Sequence, residues 1–400
     1  MNLPILFNKL RVLFIVTSFW ASGEFMIARE FAKNLKKSGH EVAFVLPPSH
    51  YKKVKSIYKA YGLIPKSRKL NQLLFQEIAY SFQPDILILS DFLNYHFASN
   101  HYGIIKEDLE ILGGKIATFD NYNWLKTRVG MDTYGFYSSI PRELNIQDYG
   151  ARIIPCPLEN PDSLGQGNYA YALCQEVISR TEKEKNKIYQ GFNLDPNKKI
   201  IFLTSASWQE NAVQERKVQQ FMQKVDKLYQ KIIQDLEDKY QIVLVGTNKK
   251  ILGEEKNIHY YSNLDSQHFD DLISIADLYI GRNLISTSMV RMVLSGLRCL
   301  CLVNGKKVSR ASENYAYRFR MFPVGWYDFL TPLVEKNPYY DLIEMMEIFT
   351  EEGATDRIHT ILEEDPKNYE ERLDGLKSKL ANLNTPSQIV CKLAKEESSC

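Results

Sequence analysis

Three carboxylates follow stretches of sequence that are typical of buried β-strands. In a parallel sheet the carboxyl ends of the strands form one edge, and α/β proteins bind their ligands there. A carboxylate enclosed in such a site has its pKa raised towards neutral pH, so it can act as a general base. We expect one of the three to act as the general base. The alternatives are structural: Glu24 would be an acid in the first turn of a helix, and Asp91 would cap a helix. The candidates are Glu24 after residues 11–17 and a loop, Asp91 after 86–90, and Asp120 after 115–119.

A strand, a loop and a helix start form a second candidate site in the other half of the chain. The apolar run 277–280 ends at Gly281, and the loop that begins with Arg282 leads into a helix that ends at Gly296. Free backbone N–H groups and the helix dipole at such a start favour an anion, and the geometry suits a phosphate. Many α/β folds contain this unit without a ligand. The position of the unit in the chain is therefore stronger evidence for a site than the unit itself. The hydroxyls offered to the helix start are those of Ser286, Thr287 and Ser288.

The first part of the chain has the pattern of a doubly wound parallel sheet. Its first two predicted strands and the helix between them form a βαβ unit, which implies a right-handed crossover. The GxGxxG pattern is absent after the first strand, so a standard NAD or FAD site is not expected. Residues 1–165 are predicted to form an N-terminal Rossmann-like domain. Its strands are predicted at 11–17, 41–46, 86–90, 115–119 and 152–155.

The composition changes between Pro155 and Gly167, where prolines and glycines are frequent, as at a domain boundary. Buried strands and helices alternate again beyond it, which predicts a second Rossmann-like domain over residues 166–365. Residues 366–400 are predicted to form a helical C-terminal tail. The predicted fold class is therefore α/β, with two doubly wound Rossmann-like domains. The elements of the second are helices over about 170–189, 214–240 and 268–275, and strands over 200–204, 242–245, 257–261, 277–280 and 300–303.

Composition and charge exclude several classes of function. Hydrophobic residues make up 44% of the 400 residues, which supports full cores rather than disorder. The formal net charge is only +2, so no nucleic-acid partner is expected. There is no apolar run of membrane-spanning length and no secretory signal, so we expect a soluble, cytoplasmic protein. The six cysteines lack the spacing of a metal site, so no metal site is expected. Cys299 and Cys301 share one face of a strand, and we interpret them as a buried pair of thiols rather than as metal ligands.

A basic stretch lies within the first domain. Residues 51–70 contain seven lysines and arginines and no acidic residue, with tyrosines and isoleucines interleaved. A solvated surface helix and loop is the simpler interpretation. The alternative is contact with an anionic partner: a lipid head group, which would mean peripheral membrane contact, a phosphorylated acceptor or an acidic peptide.

The second half resembles the nucleotide-binding domain of the GT-B glycosyltransferases. Residues 189–207, YQGFNLDPNKKIIFLTSAS, resemble the start of that domain in the UDP-glycosyltransferase and peptidoglycan N-acetylglucosaminyltransferase families. Residues 258–304 resemble the strand–helix–strand that holds the donor there, and 309–316, SRASENYA, resemble the segment that contacts the donor sugar. The resemblance implies two domains facing across a cleft, with the acceptor on the N-terminal domain and the nucleotide sugar on the C-terminal one.

The resemblance also implies roles for particular residues. Glu24 stands where the family has the histidine of its glycine loop, which suggests Glu24 as the base, with Asp91 as second choice. The loops that face the donor phosphates correspond to Ser205, Ser207, Gly281, Arg282, Ser286, Thr287 and Ser288, and the contacts to sugar hydroxyls correspond to Glu313 and Asn314.

Two features depart from the family's pattern. Arg291 is nearest to the place of the ribose-binding glutamate, and an arginine cannot accept hydrogen bonds from ribose hydroxyls. The loop at 283–285 lacks glycine, so the backbone has less room beside a phosphate. These departures leave open an altered donor or lost activity.

The function predicted from the resemblance is metal-independent transfer of a sugar, with inversion, from a nucleotide sugar to a hydroxyl or amine. UDP-sugars are the first expectation for the donor, which is a substrate, and no cofactor is expected. The acceptor is a small molecule, a peptide or a lipid-linked molecule. Two alternatives stay open: a different enzyme on this scaffold, such as a nucleotide-sugar 2-epimerase or a polyol-phosphate transferase, and a catalytically degenerate binding or scaffold protein.

Overall fold

A computed structural model describes residues 9–19, 23–127, 143–164, 169–174, 178–205, 216–246, 258–303, 327–347 and 354–396. These residues form two compact units. The first unit takes the chain up to Leu125, the described residues from 143 to Leu173, and those from Lys379 onwards. The second takes Lys126, Thr127 and the described residues from Cys174 to Ser378.

The first unit is built on a parallel sheet of seven strands. Helices and loops cover both faces of such a sheet, so its central strands are apolar on both sides. Phe14, in the centre, stacks on Phe44 and Phe119 of other strands, and all three rings are fully buried. The strands are β1 Arg11–Ile15, β2 Glu41–Leu46, β3 Lys59–Gly62, β4 Ile86–Leu89, β5 Lys115–Phe119, β6 Ala151–Cys156 and β7 Tyr169–Ala172, in the order β3-β2-β1-β4-β5-β6-β7.

The helices of this unit follow the strands along the chain. Helix α1 buries one apolar face that includes Phe31 and Leu35, and it ends before Gly39, whose φ of 87° lies in the left-handed region that glycine adopts easily. The helices are α1 Gly23–Lys37, α2 Pro48–Val54, α3 Arg68–Ser81, α4 Phe92–Tyr102 and α5 Trp124–Thr127, with 3-10 turns at Lys106–Leu112, Ile146–Tyr149 and Pro161–Ser163.

The second unit repeats the architecture with a parallel sheet of six strands. They are β8 Ile200–Ser205, β9 Gln241–Gly246, β10 Ile258–Tyr261, β11 Leu278–Gly281, β12 Arg298–Val303 and β13 Ile343–Glu347, in the order β10-β9-β8-β11-β12-β13. The helices of the rest of the chain are α6 Glu182–Phe192, α7 Arg216–Leu236, α8 Ser266–Ile275, α9 Thr287–Leu294, α10 Tyr327–Val334, α11 Ala354–Glu363, α12 Lys367–Ala381 and α13 Pro386–Lys395. A 3-10 turn lies at Tyr340–Leu342.

Both sheets thus have the same strand order, with the first strand of each unit next to its fourth. The chain reverses its direction of winding between those two strands, and the loops after them leave a crevice at the carboxyl edge. In the first unit this crevice lies between β1 and β4, and in the second between β8 and β11. The predicted class of two doubly wound α/β domains is confirmed.

Three elements differ from the sequence prediction. The prediction of a helix over 170–189 is wrong. Tyr169–Ala172 is the edge strand β7, and the helix α6 begins only at Glu182. Tyrosine and alanine alternate there, which is a strand period, and all four residues are buried beside β6. The edge strands β3 and β13 were not predicted, since each is short and only partly buried.

The C-terminal residues pack against the first unit. Helix α13 contacts α1 and β4. The ring of His40 joins this contact: its Nε2 lies 2.8 Å from Ser387 Oγ, and its Nδ1 accepts a hydrogen bond from the N–H of Leu10 at 3.2 Å. The last helix is therefore an integral part of the first unit. In the described part of the chain, no helix has the length and apolar character needed to cross a membrane.

Candidate active site

Neighbouring strands bring Glu24 and Asp91 to one edge of the first sheet. Strands β1 and β4 pair in parallel with Ile15 opposite Leu89, so the residues after each strand emerge side by side. Asp91 follows β4 after one serine, and Glu24 lies in the first turn of α1, the helix after β1. Two carboxylates that are far apart in sequence therefore lie in the same crevice.

Asn94 joins the two carboxylates through its side chain and its backbone. Its Nδ2 donates a hydrogen bond to Glu24 Oε1 at 3.0 Å, and its backbone N–H donates to Asp91 Oδ1 at 2.8 Å. Asn121 reaches the other Asp91 oxygen with its Nδ2, at 3.4 Å. Glu24, Asp91, Asn94 and Asn121 form one polar group, which we name the carboxylate cluster. Neither asparagine was predicted from the sequence: a cap at Asp91 implies a hydrogen bond from the backbone N–H of residue 94, which any residue there would donate.

Burial raises the pKa of both acids in the carboxylate cluster. Only 3% of Asp91 is exposed, and desolvation, together with the negative charge of Glu24, raises its pKa to about 8. Desolvation also raises the pKa of Glu24, against the hydrogen bonds of Asn94 and Ser18, which favour its charged form. The charge of either acid opposes the ionisation of the other, and with a pKa of about 8 Asp91 retains its proton near neutral pH.

Asp120 lies at the same edge, after β5, but both of its oxygens have fixed partners. Arg152 Nε donates to Oδ2 at 2.8 Å, and the Trp124 backbone N–H donates to Oδ1 at 2.9 Å. Burial raises the pKa of Asp120, and the positive charge of Arg152 opposes that rise. Asp120 orients the loop after β5, and it is a weaker candidate for a base than Glu24.

In the second unit the crevice lies between Ser205 and Gly281. Strand β8 ends at Ser205 and pairs with β11, which ends at Gly281, so the two residues lie on the same sheet edge. A methyl group at Gly281 would lie 2.9 Å from both Met289 Cε and Tyr279 Cε1, so only glycine lets α9 approach β11 this closely. Ser207, Glu313 and Asn314 lie outside the described residues.

Arg282 is a buried cation at this edge. Only 2% of it is exposed, its Nη1 donates to Asp226 Oδ1 at 2.7 Å, and its guanidinium lies 5.2 Å from the centre of the Tyr229 ring. Nε and Nη2 are buried, and neither has a hydrogen-bond acceptor among the described residues. The ion pair holds the side chain in place, while two of its donor nitrogens remain for another acceptor.

The start of α9 is capped by one of the three hydroxyl residues. Ser286 is the cap residue, and its Oγ accepts a hydrogen bond from the Met289 N–H at 3.0 Å. Thr287 and Ser288 form the first turn, where backbone N–H groups have no acceptor within the helix. The loop before them is fixed by Asn283, whose Oδ1 accepts from the Ile285 N–H at 3.1 Å. The turn is thus rigid, and the N–H groups of Thr287 and Ser288 are the ones left for an anion.

Arg291 lies further along the same helix and pairs with Asp270 of α8. Both side chains are mostly buried, with 19% and 18% exposed. A ribose would therefore meet an arginine whose charge is already matched. Among the described residues, no group of three or more histidines, cysteines, aspartates or glutamates is arranged to hold a metal ion.

Comparison with solved structures shows the fold of the whole chain. The spinosyn forosaminyltransferase SpnP has 13% sequence identity and a TM-score of 0.56, with 97% of this chain and 99% of that chain covered. The glycosyltransferase SnogD from Streptomyces nogalater has 13% identity and a TM-score of 0.55, with 96% and 99% covered. The spinosyn rhamnosyltransferase SpnG, complexed with thymidine diphosphate, has 13% identity and a TM-score of 0.53 over 96% and 99%.

These similarities confirm the predicted GT-B fold, and at such identities they establish the fold alone. Comparison with curated protein sequences gives no significant match. A family model does match residues 31–398, which is nearly the whole chain. The chain therefore belongs to the family of unknown function DUF6365.

Proposed function

We propose that this protein transfers a sugar, with inversion, from a nucleoside diphosphate sugar to a hydroxyl or amine of an acceptor. The carboxylate cluster carries the proposal, because its half-buried acid Glu24 has a raised pKa and lies at the edge of the first sheet where such folds bind ligands. The fold supports it, since the solved structures with this fold named above are glycosyltransferases.

Glu24 is the base in this proposal. It takes the proton of the acceptor O–H or N–H while that atom attacks the anomeric carbon, and the bond between this carbon and the diphosphate oxygen breaks. Asp91, with a pKa of about 8, keeps its proton near neutral pH, so it can donate a hydrogen bond in the same crevice. Asn94 binds both residues and fixes the distance between them.

The second sheet binds the donor in this proposal. The N–H groups of Thr287 and Ser288, together with the positive charge of Arg282, whose Nε and Nη2 have no acceptor among the described residues, stabilise the charge that develops on the leaving diphosphate. Ser205 lies at the neighbouring strand end and supplies a further hydroxyl. UDP is a candidate for the nucleotide because of the resemblance to the UDP-glycosyltransferases. dTDP is a second candidate, since SpnG is complexed with thymidine diphosphate and a further solved structure, that of VinC, is in complex with dTDP.

The test begins with nucleotide binding and then measures turnover. We expect UDP or dTDP to raise the unfolding temperature, since a ligand at about 100 times its Kd adds about 2.7 kcal/mol of stability. Sugar conjugates of the nucleotide that binds are then incubated with a panel of acceptors, and release of the nucleoside diphosphate is measured. Acceptor-dependent release, with inverted configuration in the product, is the expected result. Binding without release for any donor and acceptor would contradict the proposal.

A binding protein without catalysis is the second candidate. Arg282 and Arg291, the two cations at the proposed donor site, each pair with a carboxylate already, so neither is fully available to a diphosphate. Calorimetry separates the two candidates: a protein that binds neither UDP nor dTDP has lost its donor site. A change of the donor sugar in the absence of any acceptor would instead indicate an epimerase.

A further inference from the structure

The exposed apolar residues of the first unit are concentrated around α3. The described part of the chain exposes eight large hydrophobic side chains, and five of them lie between residues 57 and 80. Tyr80 is 86% exposed and Leu73 is 51% exposed, both on the outer face of α3, whose opposite face buries Phe75 and Ile78. We name this region the α3 surface; its exposed hydrophobic residues are Ile57, Ile64, Leu70, Leu73 and Tyr80.

The same region carries a high local positive charge. Residues 51–70 contain seven lysines and arginines and no acidic residue, while the whole chain has a formal net charge of only +2. The remainder of the chain is therefore net negative. Arg68, at the start of α3, pairs with Asp108 at 3.3 Å, so its charge is already balanced. Lys66 and Lys69, both exposed, lie just before α3 and in its first turn.

The α3 surface is held rigidly by contacts at both ends of the helix. At its start, Asn71 is fully buried, and its Nδ2 donates to the carbonyls of Ile64 and Tyr102, each at 2.8 Å. At its end, the side chain of Tyr61, in the edge strand β3, lies 3.3 Å from Ser81 Oγ. The apolar residues are thus presented on a fixed scaffold, and their exposure is a property of the fold.

We propose that the α3 surface binds a membrane that contains anionic lipids. Lysines interleaved with aliphatic and tyrosine side chains match the boundary of such a membrane, where the charges meet head groups and the apolar parts enter the acyl region. The helix lies on the membrane and does not cross it. The inference is independent of sugar transfer, because vesicle binding is measured without any donor or acceptor.

One acidic residue interrupts the α3 surface. Glu77 lies between Leu73 and Tyr80 on the outer face of α3 and is exposed. A carboxylate there repels anionic head groups, so we expect Glu77→Gln to strengthen binding to anionic vesicles.

The experiment measures cosedimentation of the full chain with vesicles of phosphatidylcholine, with and without phosphatidylserine. We expect binding only when phosphatidylserine is present. Leu73→Gln combined with Tyr80→Gln should abolish it, and each of Lys66→Asn and Lys69→Gln should weaken it by about fivefold, the factor for one charge near such a surface. Lys183→Gln combined with Lys187→Gln, on the exposed side of α6, is the matched control and should bind like the wild type.

Circular dichroism and the unfolding temperature establish that each variant is folded. Failure of the wild type to bind phosphatidylserine vesicles would overturn the proposal, and so would equal loss in the α6 control. If sedimentation analysis showed instead that Leu73→Gln with Tyr80→Gln converts a dimer into a monomer, the partner would be a second copy of the chain, and the membrane proposal would be wrong.

Discussion

The carboxyl edges of the two sheets have the same topology and opposite chemistry. In each unit the first strand lies beside the fourth, so the loops after them share a crevice. The first sheet places the half-buried Glu24 and the buried Asp91 there, joined by Asn94. The second places Arg282 and the start of α9 there. Topology therefore determines where a site forms, and a few residues after each strand determine whether it favours a proton or an anion.

The difference extends to how each site balances its charge. In the first sheet, two of the acids have no cation bonded to them among the described residues, so burial raises their pKa and one proton is retained. In the second, the buried cation Arg282 has a carboxylate partner, Asp226, at 2.7 Å. The first edge is thus suited to proton transfer, and the second is suited to binding an anion.

The largest expected effect concerns the base. We expect Glu24→Gln to lower kcat by about 100-fold or more, because general bases contribute about 10²–10⁴-fold. Asp91→Asn should lower it by about tenfold or less, because an amide still donates the hydrogen bond that the protonated acid supplies. Steady-state kinetics with the active nucleotide sugar measures kcat of both variants. Glu30→Gln on the same helix is the control. A larger loss in Asp91→Asn than in Glu24→Gln would reverse the two roles.

The second prediction concerns the ion pair of the second sheet. Asp226→Asn leaves Arg282 buried with a weaker acceptor, and we expect a loss of about 2 kcal/mol of unfolding free energy. Arg282→Met combined with Asp226→Asn should recover part of that loss, since no charge is then buried. Denaturant unfolding of the single and double variants measures the coupling. Strictly additive losses would show that the pair is not energetically linked.

The third prediction tests the retained proton of Asp91. Its pKa in the folded protein is about 8, far above the ordinary value of 3.8, so between these values the folded state binds more protons than the unfolded state. Stability must then fall as pH rises through this window, by up to about 1.4 kcal/mol per pH unit. Asp91→Asn should flatten this slope, while Asp238→Asn, at an exposed position, should leave it unchanged. Denaturant midpoints between about pH 5 and about pH 7 measure it; identical slopes in wild type and Asp91→Asn would contradict the assignment.

The smallest effect concerns the helix start that is proposed to bind the diphosphate. Ser286→Ala removes the cap of α9 and should reduce the unfolding free energy by about 1 kcal/mol. Thr287→Ala, one residue later, removes a hydroxyl that is not the cap and should change stability by less. Both variants keep the backbone N–H groups, so nucleotide binding should persist in Thr287→Ala. Equal losses of stability would show that Ser286 does not cap the helix.

Much of the architecture was predictable because buried parallel strands have continuous apolar sequences. The predicted strands at 11–17, 86–90 and 300–303 all lie within or around observed strands. Short edge strands were not predictable, because β3 and β13 are only partly buried and lack that pattern. The alternating residues of β7 were mistaken for a helix, since the partner strand that fixes their conformation is not visible in their own sequence.

The sequence by itself determined the residue types at each strand end: acids after the strands of the first sheet, and an arginine with three hydroxyl residues in the second. Only the tertiary structure decided which of them meet and in what state. Asn94 lies 70 residues from Glu24 along the chain and bonds to it, and the pairing of Arg282 with Asp226 spans 56 residues. The physical reason is that pKa and charge pairing depend on burial and on distances through space, and the order of the strands sets these.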